Sequence, residues 1–415
     1  MHQGKATTGD VLIAGGGQVG LALALALAQA APTLAVTLVD AATPEARPRE
    51  GRASTIVAGG QRMLAELGVW PAIADAAEPV TAMVVTDSRT RDTVRPVFLT
   101  FGRGEDPDGS AYVIADGVVV AALARAAEAA GVTIVAGDAI VDFSVDGARV
   151  TAMARSGARH AARLLVAADG VGSELRELAG ISTVGMAYGQ SGIVATVVHA
   201  RPHGGRAEEH FLPGGPFATL PLRSTPDGKH RSSLVWTEPT EIAERLVAGD
   251  AFTFRLELER RFGHRLGGLE VAGEPRAFPL GVSLARDFVR PRFALVGDAA
   301  HSIHPIAGQG LNLGYRDVAA LAETIVEAYR IGLDIGAMTV LDRYQRWRRY
   351  DTLEMALVTD GLNRLFANDN PALRIARDVG LGVVDRLPGL KRFFVGEASG
   401  AAGGEAPRLL RGEAI

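Results

Sequence analysis

Residues Asp10 to Asp40 read "DVLIAGGGQVGLALALALAQAAPTLAVTLVD", and their pattern decides the fold. Asp10–Ala14 is a short apolar run ending on glycine, as in a strand buried on both faces. The glycines open a helix near Gln18, and Ala35–Asp40 is a second apolar strand that closes on an acid. Gly15, Gly17 and Gly20 keep the spacing G-x-G-x-x-G, and Asp40 lies twenty residues past the last of them. Together these form one βαβ unit suited to a dinucleotide. The first glycine makes the tight turn, the second admits a pyrophosphate to backbone N–H groups, and the third lets helix and strand pack closely. Asp40 can accept from a ribose hydroxyl. Gly15, Gly17, Gln18, Val19, Gly20 and Asp40 are thus candidate cofactor contacts. The motif alone does not separate a flavin from a nicotinamide dinucleotide.

Outward from this unit, the apolar stretch Leu21–Val39 is broken by Gln29 and Pro32, which predicts helix, turn and strand rather than a membrane span. The N-terminus lacks the basic-then-apolar pattern of a secretory leader, so cytoplasmic residence is expected. The 415 residues allow two or three domains. With no cysteine, the chain has no disulfide, thiolate nucleophile, Cys-ligated zinc or iron–sulfur cluster. A net charge of −4 and only three lysines, Lys5, Lys229 and Lys391, give no global basic field, and nucleic acid is not an expected partner.

Alternation of strand and helix continues with a helix from Val118 to its stop glycine, Gly131, and a buried strand in "RLLVAADG", Arg163–Gly170. Between about Gly185 and Ala277 the texture changes to short alternating runs separated by Pro and Gly, as in an antiparallel sheet. "RFALVGDAA" from Arg292 returns to the buried-strand pattern. The predicted fold is therefore α/β: a Rossmann-type dinucleotide-binding domain with an inserted antiparallel-sheet substrate domain and a C-terminal helical segment. The expected boundaries are 1–180 for the first part of the binding domain, with short strands near 80–110 lent to the substrate domain, 181–280 for the sheet, 281–331 for the second part, and 332–415 for the helical segment.

Three further stretches narrow the cofactor. "GRASTIVAGGQRMLAELGVW" from Gly51 carries Arg52, "ADGVGSELR" spans Ala168–Arg176, and "GDAAHSIHPIAGQGLNLGYRD" spans Gly297–Asp317. The chain resembles the flavoprotein aromatic hydroxylases, the para-hydroxybenzoate hydroxylase-like class A monooxygenases. The resemblance rests on three fingerprints in order: Gly15–Gly20, Asp169–Gly170 and Gly297–Asp298. More narrowly, His304–Asp317 matches the signature H-P-[LIV]-[AG]-G-Q-G-x-N-x-G-x-x-D of the ubiquinone-biosynthesis hydroxylases. "GPFATLPL" at Gly215, "SLVWT" at Ser233 and "LPGLKRFFVGEASG" at Leu387 are also similar to that branch.

The resemblance implies FAD as cofactor, NADPH or NADH as reductant and O2 as co-substrate. It implies that Asp298 holds the ribityl hydroxyls and that Pro305, Gly308, Gly310, Leu311 and Asn312 border the isoalloxazine. Asp169 would organise arginine and backbone around phosphate, and Arg52 would lie near the flavin. A helix N-terminus rich in glycine suits this, because reduced flavin is negative near N1 and O2. The sequence departs from the family at "ADGVVVAAL", Ala115–Leu123, where Asn and Arg are usual, which puts a cofactor contact there in doubt.

The implied activity is hydroxylation of a polyprenylated phenol in ubiquinone biosynthesis, with pathway proteins as possible partners. Hydroxylation of a small soluble aromatic, or flavin binding without turnover, are the alternatives. A flavin halogenase is disfavoured by scarce lysine and by the absence of W-x-W among Trp70, Trp236 and Trp347. No metal is expected, since the spacing of His199, His203 and His210 fits no single helix face. Tyr112, Tyr188 and His210 are candidates for the substrate layer, and no residue is assigned as catalytic base. Leu365, Phe366, Leu390, Phe393 and Phe394, interleaved with arginines, suit a peripheral contact with the inner face of a membrane.

Overall fold

The computed structural model describes residues 7–43, 52–87, 97–102, 111–305, 308–366 and 406–415. At its centre is a six-stranded sheet in the order Val289–Arg290, Phe293–Leu295, Leu164–Ala167, Val11–Ala14, Val36–Asp40, Thr133–Ala136. All its pairs are parallel except the first. Val11–Ala14 is buried at every position, as its unbroken apolar sequence requires of a central parallel strand. The helix Gln18–Ala30 follows, and every residue from Gly20 to Ala28 is buried. The apolar run Leu21–Val39 is thus spent on a helix and a strand inside this domain. No helix among the described residues is long and apolar enough to cross a membrane.

Two smaller sheets attach to this layer. One is a four-stranded sheet, an antiparallel meander of Ile140–Asp146, Arg149–Ala154 and Arg159–Ala162 with Thr7–Thr8 added parallel to the last, which the sequence patterns did not announce. The other pairs Ala53–Ile56 and Glu78–Val80 with Ala111–Ala115.

The large sheet has eight strands, ordered His301–Ser302, Leu269–Ala285, Thr183–His199, His230–Pro239, Gly215–Leu222, Arg206–Leu212, Ala82–Asp87, Val97–Gly102. It is antiparallel apart from one parallel pair, Arg206–Leu212 with Ala82–Asp87. Strands from 80–110 do join it, and its longest member outside the expected 181–280 span runs on to Ala285. Helices Thr240–Ala248 and Ala251–Phe262 cover one face, where Ile193, Phe217, Trp236, Phe254 and Phe262 form a core of their own. The Trp236 indole N–H donates to Glu238 at 2.9 Å, and the Arg261 guanidinium lies 4.6 Å above the ring, so its polar edge is met inside that core.

Two long helices follow, Gln309–Arg330, almost wholly buried, and Met338–Phe366, and a short one, Arg408–Arg411, lies near the C-terminus. The second packs Met355 and Ala356 with Ile303 and Leu313 against Val282 and Leu284 of the large sheet. Residues 387–400 of the hydroxylase-like C-terminal stretch, with Leu390, Phe393 and Phe394, lie outside the described residues, as do the side chains of Leu365 and Phe366.

Candidate functional site

The three fingerprints lie far apart in sequence but leave three adjacent parallel strands. Leu164–Ala167 sits between Val11–Ala14 and Phe293–Leu295, so the turns at Gly15, Asp169 and Gly297 emerge side by side from one carboxyl edge. In an open α/β sheet that edge is where ligands bind.

The glycines of the first turn divide into two kinds. A Cβ on Gly15 would fall 2.2 Å from the Ala168 carbonyl oxygen, and one on Gly20 would fall 2.0 Å from that of Gly15. Both are fixed by backbone packing. Gly17, in contrast, faces open space, with nothing within 4 Å of such an atom. It is the N-cap of Gln18–Ala30, which has neither a side-chain cap nor an acid in its first turn. The Asp40 carboxylate lies against the neighbouring Gly16, where a Cβ would meet its Oδ2 at 2.6 Å. A carboxylate is thereby brought to the edge of a helix N-terminus that offers donors.

A second helix begins in the same way. Gly308 caps Gln309–Arg330 in the left-handed region, φ 64°, again without a side-chain cap or first-turn acid. Its N–H donates to the Pro305 carbonyl at 3.0 Å, and Gly310 faces open space. Two uncapped helix N-termini, with open glycines at Gly17, Gly170, Gly172 and Gly310, make a trough of backbone donors and little side chain. That donor set fits a long anionic cofactor such as FAD.

The FAD binding domain family matches residues 8–354. Ubiquinone hydroxylase UbiL of Rhodospirillum rubrum is 42% identical over 409 residues, covering 97% of this chain and 92% of that one. The 3-demethoxyubiquinol 3-hydroxylase of Escherichia coli K12 is 35% identical over 394 residues, covering 92% and 96%. The chain belongs to the FAD-dependent aromatic monooxygenases. Its fold is that of p-nitrophenol 4-monooxygenase PnpA from Pseudomonas putida DLL-E4, at a TM-score of 0.79 and 20% identity, covering 96% of this chain and 100% of that structure.

Several candidate side chains of this monooxygenase point away from the trough and brace it. Val19 is a knob: a Cβ on Gly314 would lie 2.6 Å from it and one on Gly297 3.2 Å, so these glycines let three segments close around one valine. Gln18 is buried and accepts from the Tyr315 hydroxyl at 2.7 Å. Asn312 accepts from Val57 N–H at 3.2 Å and donates to the Thr55 and Gly308 carbonyls at 2.9 and 3.1 Å. Leu311 packs on the main core. The side chains of Gln18, Val19 and Asn312 are therefore engaged inside the protein.

Arg52 stands largely in solvent, 3.6 Å from Asp116. Asp116 begins the helix where the family pattern is broken, and it accepts from Ser54 Oγ at 2.6 Å. Burial raises its pKa against the opposing effects of Arg52, Ser54 and Gln18. Asp169 is likewise raised by burial, and the bonds it receives from Ser173 and the Leu175 backbone only partly offset this. Arg176 donates to the carbonyls of Val171 at 3.2 Å and Ala299 at 3.0 Å, tying the second fingerprint to the third.

Asp298 is partly exposed in the third turn, while Gly297, Ala299 and Ala300 beside it are buried. Behind the turn lies a network that sequence reasoning missed. Gly297 N–H donates to Asp317 Oδ2 at 2.9 Å, His301 Nε2 lies 2.6 Å from the same oxygen, and Arg348 Nε donates to Oδ1 at 2.7 Å. Arg348 also bonds Asp351, which receives Arg316 at 2.7 Å. Burial works to raise the Asp317 pKa but is outweighed by His301 and Arg348, which hold it below the ordinary carboxylate range. The signature's closing aspartate thus fixes the turn that carries Asp298.

On the sheet side, Tyr188 donates to Asp360 Oδ1 at 2.9 Å and meets the His304 ring edge-on at 5.3 Å. Tyr112 instead packs edge-on against Trp70 at 4.8 Å, and His210 bonds Thr86 within the sheet, so these two are structural. His199 bonds the Arg201 carbonyl at 2.8 Å and Ser232 at 3.0 Å, while His203 bonds the Leu222 carbonyl at 2.9 Å. These nitrogens are occupied by the protein itself.

Proposed function

We propose that this monooxygenase hydroxylates the aromatic ring of a polyprenylated phenol in ubiquinone biosynthesis. The observation that carries the reading is the convergence of three glycine–acid turns and two uncapped helix N-termini on one sheet edge, beside the large sheet. The substrate class is supported by relatives named as a ubiquinone hydroxylase and a 3-demethoxyubiquinol 3-hydroxylase.

FAD, when bound, takes a hydride from NADH or NADPH and activates O2 for transfer of one oxygen atom to the ring. The chain's own share is to bind, orient and exclude water. In this reading Gly15 makes the tight turn, its own N–H donating to the Val39 carbonyl, Gly17, Gln18, Val19 and Gly20 offer backbone donors to pyrophosphate, Asp40 accepts from ribose, and Arg52 and Asp169 organise the phosphate region. Gly297 and Asp298 hold the ribityl chain. Pro305, Gly308, Gly310, Leu311 and Asn312 border the ring, and the N–H groups of the first turn of Gln309–Arg330 are the donors that suit its reduced, anionic form. The division at 1–180, 181–280, 281–331 and 332–415, into a split FAD unit, an inserted sheet and a helical tail, is part of the same reading.

A polyprenylated substrate is too apolar to arrive through water, so the enzyme meets it at a bilayer surface or in a complex of pathway proteins. Purified protein is expected to be yellow and to consume NAD(P)H and O2 faster with a prenylated phenol than with small phenols. Preference for small phenols would replace the substrate assignment. Bound FAD without stimulated turnover by any phenol would reduce the chain to a flavin-binding subunit.

A further inference from the structure

His304 immediately precedes Pro305 on the loop that leads into the uncapped helix Gln309–Arg330. Its side chain has no exposed surface, yet neither ring nitrogen finds a hydrogen-bond partner among the described residues. Most buried polar groups in a folded protein are paired, and one that is not calls for an explanation. The surroundings narrow it. Tyr188 lies edge-on at 5.3 Å, at a bulge in Thr183–His199 between Ala187 and Gln190. Its hydroxyl is turned to Asp360, on the far part of Met338–Phe366. Ile303, next to His304 in the chain, clusters with Leu313, Met355 and Ala356.

Burial lowers the His304 pKa to about 4, with Asp360 acting weakly the other way. The imidazole is therefore neutral near pH 7, with one N–H donor and one bare lone pair. The complement of such a group in an apolar setting is a hydroxyl on an aromatic ring, which has one proton to give and lone pairs to receive. The position fits, since the loop joins the trough to the large sheet.

We propose that His304 binds the ring hydroxyl of the substrate, and that the Tyr188–Asp360 bond sets the orientation of the imidazole. The inference rests on the reading of the chain as a phenol hydroxylase and adds the residue that recognises the phenol. His304 acts as a hydrogen-bond acceptor and donor, so no atom or electron changes hands at this site.

The test uses FAD-loaded enzyme and the change in flavin absorbance on titration with a short-chain prenylated phenol or with its O-methyl ether. The ether has the same shape and lacks the proton. Wild type should favour the phenol by about tenfold or more, as expected of a site that hydrogen-bonds a substrate hydroxyl. His304→Leu should lose that preference, binding the ether as before, with FAD content intact and thermal stability unchanged or raised. His304→Gln should recover part of it. Tyr188→Phe should narrow the ratio without touching FAD, and it keeps the test open if the leucine variant folds poorly.

A preference that survives in both His304→Leu and Tyr188→Phe would overturn the proposal. So would loss of FAD from folded His304→Leu, which would assign the imidazole to the flavin. If wild type perturbs its flavin with neither ligand and shows no phenol-stimulated O2 uptake, the functional reading itself has failed. An unchanged ratio in a competent enzyme removes only the role of His304.

Discussion

Among single residues, Gly17 separates folding from binding more cleanly than its neighbours. A Cβ at Gly15 or Gly20 would strike backbone, whereas one at Gly17 strikes nothing in the protein, and its φ of −69° is open to any residue. In the proposed reading Gly17→Val should therefore fold with the melting temperature of the FAD-free wild type and purify colourless, because the branched side chain would occupy the pyrophosphate's place. Retention of flavin in that variant would remove the turn from the cofactor site. In the same reading Asp298→Ala should lower FAD occupancy and leave the stability of the FAD-free protein unchanged, since the carboxylate is partly exposed and would be the acceptor for ribityl hydroxyls. His304 carries a prediction in pH. Its folded pKa lies below its ordinary value, so between about 4 and 6.5 the unfolded chain binds more protons and stability must rise with pH. The contribution is complete above 6.5. His304→Leu should flatten that part of the stability–pH curve relative to wild type, and an identical slope in the two proteins would mean that the imidazole is not buried neutral. The Gly15–Asp40 unit was legible because strand, turn, helix and acid are close in sequence and each has a local reason. Tyr188, His304 and Asp360 were not, because a hydrogen bond across 172 residues depends on how three elements pack.

Among elements, the helix Gln309–Arg330 shows why a glycine-rich N-terminus needs strong support behind it. Gly308 and Gly310 leave the loop little side chain of its own, so Asn312 fastens it to Thr55 and Val57, and Asp317 fastens the Gly297 turn to Arg348. Asp317 and Arg348 are fully or almost fully buried, and removing one partner leaves the other charge uncompensated. Asp317→Asn should cost about 3–5 kcal/mol in thermal or denaturant unfolding. It should also weaken FAD binding in whatever fraction folds. A loss under about 1 kcal/mol, the size expected of an exposed pair, would show that the network is not structural. Arg52→Ala supplies the contrast, because Arg52 is mostly in solvent and its stability effect should stay under about 1 kcal/mol while FAD affinity falls. The signature's glycines and asparagine were readable as a motif. That Asp317 faces inward to a backbone amide, rather than outward to a ligand, was visible only once the turn and the helix were placed together.

Across the whole molecule, the order of strands carries the site. The sequence patterns predicted an interrupted α/β domain with a sheet inserted, and both are present. Which strands are neighbours depends on crossovers, so the adjacency of the three fingerprints could not be read from local periodicity. The meander 140–162 escaped for a different reason: Arg149–Ala154 and Arg159–Ala162 alternate in burial, but their buried face is mostly alanine, Ala152, Ala154 and Ala162, which gives a faint apolar signal, and Ile140–Asp146 is mostly exposed or half-buried. The helix Met338–Phe366 has a further consequence, in time rather than in space. Arg348 and Tyr344 lie on it, bonding Asp317 and the Leu295 carbonyl, so the third fingerprint is secured by residues that leave the ribosome some fifty positions after it. A nascent chain halted near residue 335 already contains every turn assigned to FAD, yet Asp317 and the Leu295 carbonyl beside the last of them still lack Arg348 and Tyr344. Ribosome-bound chains of that length should stay colourless in FAD and remain open to protease, and both properties should change together once the helix has emerged.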